Sequence, residues 1–142
     1  MYNLLVTAQV GAWDAPRYEF ARNRFGEHTL EDILKKYQEM STASVAELIS
    51  FPAIFTYEGE DQPARFGYLR RISPAEKTLT IDYEIVSGVP ALPPGQLVEL
   101  RMELDISRGE LYRTHWAVKD GKLIEVLLKA GLLKMEMLGS RK

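Results

Sequence analysis

Between Ala53 and Ile85 the chain runs through three apolar stretches, and turn chemistry separates each from the next. In the last stretch Leu79, Ile81, Tyr83 and Ile85 alternate with Thr78, Thr80, Asp82 and Glu84. A period of two places the first set on one side of a β-strand and the second on the other. Arg65 to Ile72 reads as the preceding strand, and the dense apolar run Ala53 to Glu58 as the one before it. Gly59-Glu60-Asp61-Gln62-Pro63 and Ser73-Pro74-Ala75-Glu76 supply the turns. Strands joined this closely must pair antiparallel, so the middle of the chain predicts a three-stranded meander with one apolar and one polar face.

The flanks add helices and two more strands. Leu4, Val6, Ala8 and Val10 alternate and predict an opening strand that stops at Gly11. Residues 12–28 have no clear period and read as a long arm packed by Trp13, Tyr18, Phe20 and Phe25. Thr29 and Asp32 resemble a capping box for a helix over 30–40, and Ser44 with Glu47 a better one for a short second helix. Pro52 must end that helix and hold Phe51 extended. A stiff connector holding Pro90, Pro93 and Pro94 leads to 95–104, read as helix because Leu, Glu, Arg, Met and Gln dominate it. The same stretch alternates at Val98, Leu100, Met102, Leu104 and Ile106, as a strand would. Glu110 to Lys119 predicts a final strand. Asp120 can cap a last helix with an apolar stripe at Leu123, Ile124, Leu127 and Leu128, and Gly131 stops it. The tail, 134–142, reads as frayed. The expected fold is α+β: one domain over 1–142, a bent antiparallel sheet or partial barrel of about five strands covered by three or four helices.

Composition removes several classes of function. The 142 residues carry 18 Lys+Arg against 20 Asp+Glu, a net charge of −2, which excludes a strongly basic nucleic-acid coat. With zero Cys there is no disulfide framework, thiolate zinc site or cysteine nucleophile. His28 and His115 are the two histidines, too few for a histidine-rich metal site. No glycine-rich phosphate loop is present, and no cofactor or metal is implied. The N-terminus lacks a basic flank and a signal-peptide core, and no apolar run reaches the ~18–20 residues of a spanning helix. A cytoplasmic protein without a membrane partner is the expectation.

Two stretches stand out chemically. Arg65-Phe66-Gly67-Tyr68-Leu69-Arg70-Arg71 interleaves aromatics with cations, the recipe for stacking bases and gripping phosphates on a sheet. On a regular strand Phe66, Tyr68 and Arg70 share one side, and Arg65, Leu69 and Arg71 the other. The competing reading buries the aromatics in the core and leaves the arginines to solvate an edge. In Arg113-Thr114-His115-Trp116-Ala117-Val118-Lys119-Asp120, alternation turns Arg113, His115 and Lys119 to one side, a row able to hold an anion. Here the competing reading pairs Arg113 with Glu103 or Asp105 and uses His115 to satisfy a backbone group. The serines lack a nucleophile-elbow context, and a general acid–base pair of His115 with Asp105 or Glu110 is the only catalytic alternative.

Phe51-Pro52-Ala53-Ile54-Phe55-Thr56-Tyr57-Glu58, taken with the Arg113–Asp120 string, resembles an uncharacterised small bacterial module. The resemblance spans residues 50–128 and leaves out the first 50. It implies a module of accessory and defence-associated (antiphage) genes with a sensing or adaptor role, and brings no catalytic residues. The expectation is therefore a non-catalytic binding module for an anionic ligand, a nucleotide or nucleic acid, held by Tyr68, Arg70, Arg71, Arg113, His115 and Lys119. The alternatives are a protein–protein adaptor forming a homo-oligomer through the aromatic arm, and a small nuclease or hydrolase centred on His115.

Overall fold

The computed structural model describes residues 1–138, and it begins with a strand, β1 (Tyr2–Thr7), buried along its whole length. A strand buried on both faces needs a layer on each side, and the rest of the chain supplies both. The strands that follow are β2 (Arg17–Ala21), β3 (Pro52–Tyr57), β4 (Arg65–Pro74), β5 (Thr78–Ile85) and β6 (His115–Lys119). They form one open mixed sheet in the order β2-β5-β4-β3-β1-β6. The helices are α1 (Glu31–Tyr37), α2 (Thr42–Ser50), α3 (Gln96–Glu99) and α4 (Leu123–Lys129). The architecture is α+β, and among the described residues no helix is long and apolar enough to cross a membrane.

The expected meander is present, with β3, β4 and β5 paired antiparallel in sequence order. The sheet differs from the expectation in two ways. It has a sixth strand, β2, inside the aromatic arm, where it pairs antiparallel with β5. It also contains a parallel pair, β1 with β3. The reason is the connection between those two strands, which is long enough to hold β2, α1 and α2 and so returns the chain in the same direction.

Two apolar clusters sandwich the sheet. On one side Leu5, Phe55, Leu69, Ile81 and Trp116 pack with Trp13, Tyr37 and Leu48. Here buried Asn3 donates to the Leu48 carbonyl that ends α2 and accepts from Trp116 Nε1, both at 3.0 Å. On the other side Tyr2, Leu4, Ile54, Phe66 and Ala117 pack with Leu97, Leu123 and Leu127 of α3 and α4. This second cover stops short: the outward side of β5 and the end of β4 expose Arg71, Ser73 and Glu84.

Local signals were honoured unevenly. Pro52 ends α2 as expected and Phe51 is extended, while Gly131 takes φ +76 just after α4. Ser41, not Ser44, caps α2, accepting from the Ser44 N–H at 3.1 Å. Thr29 does not cap α1; its hydroxyl instead accepts from the Val118 N–H of β6 at 3.0 Å. The helix expected over 95–104 shortens to α3, and irregular turns run on to Asp105, which adopts φ +58. The strand expected over 110–119 is a 3-10 turn (Glu110–Tyr112) followed by β6. Of the tail, Met135–Leu138 forms a 3-10 turn, and 139–142 lie outside the described residues.

Gly67 shows how tightly the sheet is packed. A Cβ added there would stand 2.1 Å from the Glu84 carbonyl oxygen on the neighbouring strand, and backbone cannot swing away. Gly67→Ala is therefore expected to destabilise the fold by about 1–3 kcal/mol, the usual cost of overpacking. Urea denaturation of the two proteins measures it.

Candidate functional site

The structure does not bring the sequence-selected residues to one surface. Tyr68 is 7% exposed and packs edge-on against Phe66 inside the core, so it offers no stacking face. A register shift between Leu69 and Arg71 breaks the alternation of β4. The shift returns Ile72 to the buried side and leaves Arg70 and Arg71 both exposed. Arg70 pairs with Glu84. Arg71 lies opposite Asp82, which Arg17 already holds at 2.6 Å. The carboxyl of Asp82 sits below its ordinary range, mainly through the Arg17 hydrogen bond, with a smaller contribution from Arg71.

Arg113, at the entry to β6, and His115 and Lys119, on β6, are separated from β4 by two strands, β3 and β1. Arg113 makes a two-pronged contact with Glu27 at 2.6 and 2.8 Å, not with Glu103 or Asp105. That contact is the first cause of the lowered Glu27 carboxyl. His115 is 0% and Lys119 2% exposed. Lys119 Nζ donates to Glu110 Oε1 at 2.9 Å and to the His28 carbonyl at 2.6 Å. His115 spans the Arg113 carbonyl (Nδ1, 2.6 Å) and Glu110 Oε2 (Nε2, 3.0 Å). Sequence alternation treated these as outward groups. They point inward because a buried carboxylate, Glu110, waits for them: it pairs with the Lys119 ammonium and hydrogen-bonds the His115 ring.

That buried network shapes the loop beside it. Glu110 Oε1 also accepts the Ser107 N–H at 2.9 Å, so the carboxylate pins both ends of the turn at 107–110. The Leu111 carbonyl accepts from the Gly59 N–H at 2.8 Å, tying the turn to the β3–β4 connection. Between these segments lies a cleft of about 310 Å³. Its apolar wall is Val98, Ile106 and Leu111, and its polar rim is Arg101, Arg108 and Glu60. Tyr112, 59% exposed, stands at the rim with its hydroxyl donating to Glu60 Oε2 at 2.7 Å. Neither Arg101 nor Arg108 forms an ion pair with a described residue. Two guanidiniums against one carboxylate leave this cleft positive.

A second cleft, about 330 Å³, opens at the C-terminal ends of β1 and β3 and is lined by Trp13, Asp14, Tyr57, Glu58 and Arg65. Its two carboxylates outnumber its one guanidinium, so it has the opposite sign. Among the described residues no group of three or more His, Asp or Glu is placed to hold a metal ion.

Sequence reasoning passed over Arg101 and Arg108. Arg101 sits among Glu99, Glu103 and Asp105, which mask it in any local charge sum. The available signal was Ser107-Arg108-Gly109, an arginine held in a turn between two stretches that bury apolar residues.

No family model, curated protein or solved structure matches this chain, so the resemblance noted above rests on its residues alone.

Burial pushes the Glu110 carboxyl up, but hydrogen bonds from His115, the Ser107 N–H and Lys119 outweigh it and hold the group below its ordinary 4.5. A depressed carboxyl stabilises the fold fully above its unfolded value and loses that contribution as pH falls through the native one. Stability is thus expected to decline on acidification below about 4.5, and Glu110→Gln to flatten that decline. Glu110→Ala, which strands Lys119, is expected to cost about 3–5 kcal/mol near neutral pH. Denaturation curves across a pH series test both.

Proposed function

We propose that the chain is a non-catalytic binding module for a small anionic ligand of nucleotide size, taken up in the cleft of Arg101, Arg108 and Tyr112. The observation that carries this reading is the pair of arginines without carboxylate partners on the rim of one apolar cleft. Charged side chains usually find partners where these are within reach. Here the carboxylate that lines the cleft, Glu60, is engaged by the Tyr112 hydroxyl. A guanidinium pair offers forked donors to phosphate or carboxylate oxygens, and an exposed tyrosine ring offers a flat face to a base or another ring. A cleft of about 310 Å³ lies at the small end of ligand sites. That size favours a mononucleotide over a length of nucleic acid, as does the net charge of −2.

The non-catalytic part of the reading is supported by His115. Both its ring nitrogens are engaged and the residue is fully buried, so a substrate has no path to it. Glu110, the other half of the acid–base pair considered from sequence, is equally buried and is hydrogen-bonded to the His115 ring and paired with Lys119. The sensing role implied by the bacterial-module resemblance is compatible with a module of this kind.

Calorimetric titration with adenosine and guanosine monophosphates, with inorganic phosphate as the ring-less control, tests the proposal. Arg101→Ala and Arg108→Ala are each expected to weaken mononucleotide binding about 10- to 100-fold, the worth of one charge-assisted contact. Tyr112→Ala is expected to erase the preference for the mononucleotides over phosphate. Heat signals absent from the wild-type protein, or unchanged in both arginine variants, would remove this site.

A further inference from the structure

The two edges of the sheet are treated differently. The outer edge of β6 is closed by the segment 24–29: the Gly26 N–H donates to the Trp116 carbonyl at 2.8 Å, and Thr29 takes the Val118 N–H. Arg24 adds a contact to the Thr114 carbonyl, and Lys119 reaches the His28 carbonyl. β2, at the other edge, has no such cover. Its bonded pairs with β5 can be read from the flanks, where the Pro16 carbonyl accepts from the Tyr83 N–H and the Arg22 N–H donates to the Lys77 carbonyl. In an antiparallel ladder bonded pairs alternate, so Tyr18 and Phe20 face β5. The N–H and C=O groups of Arg17, Glu19 and Ala21 then point outward, and no described group bonds to them. An open row of this kind is a template for another strand.

We infer that this edge pairs with β2 of a second copy of the chain, antiparallel and about a two-fold axis at Tyr18, to give one continuous twelve-stranded sheet. Charge chooses both the occupant and the register. Pairing centred on Glu19 would set two carboxylates face to face. Pairing centred on Tyr18 sets Arg17 of each copy opposite Glu19 of the other, and both residues belong to the outward-pointing set that must form the new bonded pairs. The existing ladder already places Arg71 beside Asp82 and Asp82 beside Arg17. The Tyr18 register therefore continues that row across the axis as Arg71, Asp82, Arg17 and then the second copy's Glu19, with the sign alternating at each step. Self-pairing is isologous, so every such contact is made twice.

Sedimentation equilibrium of the full chain over a concentration series tests the inference, with a monomer–dimer equilibrium as the expected result. Glu19→Pro removes an outward N–H that no intrachain bond uses, and is expected to leave a monomer with an unchanged circular dichroism spectrum. If proline disturbs the fold, Glu19→Arg serves instead. It turns both cross-axis pairs repulsive and is expected to weaken the dimer about tenfold. A wild-type monomer at every concentration overturns the inference, as does a dimer that a folded Glu19→Pro or Glu19→Arg variant leaves undiminished.

Discussion

The carboxylate of Glu110 lies fully inside the protein, where an unpaired charge would cost several kcal/mol. It is tolerated because three donors from different parts of the chain converge on it: the Lys119 ammonium, the His115 ring and the Ser107 amide. Each donor is thereby tied to a structural consequence. Lys119 also holds the carbonyl of His28, which keeps the aromatic arm against the edge of β6. His115 holds the carbonyl of Arg113 and so the entry to the same strand. Ser107 closes the turn that carries Arg108. That one buried group thus reinforces both the sealed edge and the turn beside the cleft.

The sheet divides the molecule into a structural half and an exposed half. Around β6, β1 and β3 both faces are covered, and polar groups there serve internal bonding, as Asn3 does between α2 and Trp116. Around β5 and β2 one face and one edge remain open to water. The charges on that open face cancel locally, since Arg70 meets Glu84 and Arg17 meets Asp82. A sheet surface so neutralised, with Tyr68 withdrawn into the core, is a poor platform for phosphates. Arg101 and Arg108, which form no ion pair with a described residue, instead sit in the loops beyond α3.

Much of the backbone plan could be read from the residues. Leu79 to Ile85 could only be a half-buried strand, and the turns at 59–63 and 73–76 left its two predecessors no arrangement but an antiparallel meander. Pro52 and Gly131 closed their helices by local geometry. β2 was missed because Pro16 and the 3-10 turn at Ala12–Asp14 interrupt the period, so that Tyr18 and Phe20 look like scattered aromatics. Over 95–104 the helix-forming composition overstated the helix, which ends at Glu99, and the strand-like alternation of 98–106 falls largely on turns. The site residues fared worst. An isolated cation in a strand reads as exposed, and nothing near Lys119 in the sequence announces that Glu110 and His28 will enclose it.

Period, turn chemistry and proline placement determined the β3–β4–β5 meander, the opening strand and the helices around 31–50 and 123–129, because those preferences are set by contacts within a few residues. They also determined that the product is a mixed α+β fold with an ordinary charge balance. The order of strands, the parallel pairing of β1 with β3, and the slip at Arg70 that exposes two arginines together belong to tertiary structure. So does the fate of each charge. Whether a guanidinium or an ammonium meets water, a ligand or a buried carboxylate depends on which distant segment the fold lays against it, and no local pattern encodes that meeting.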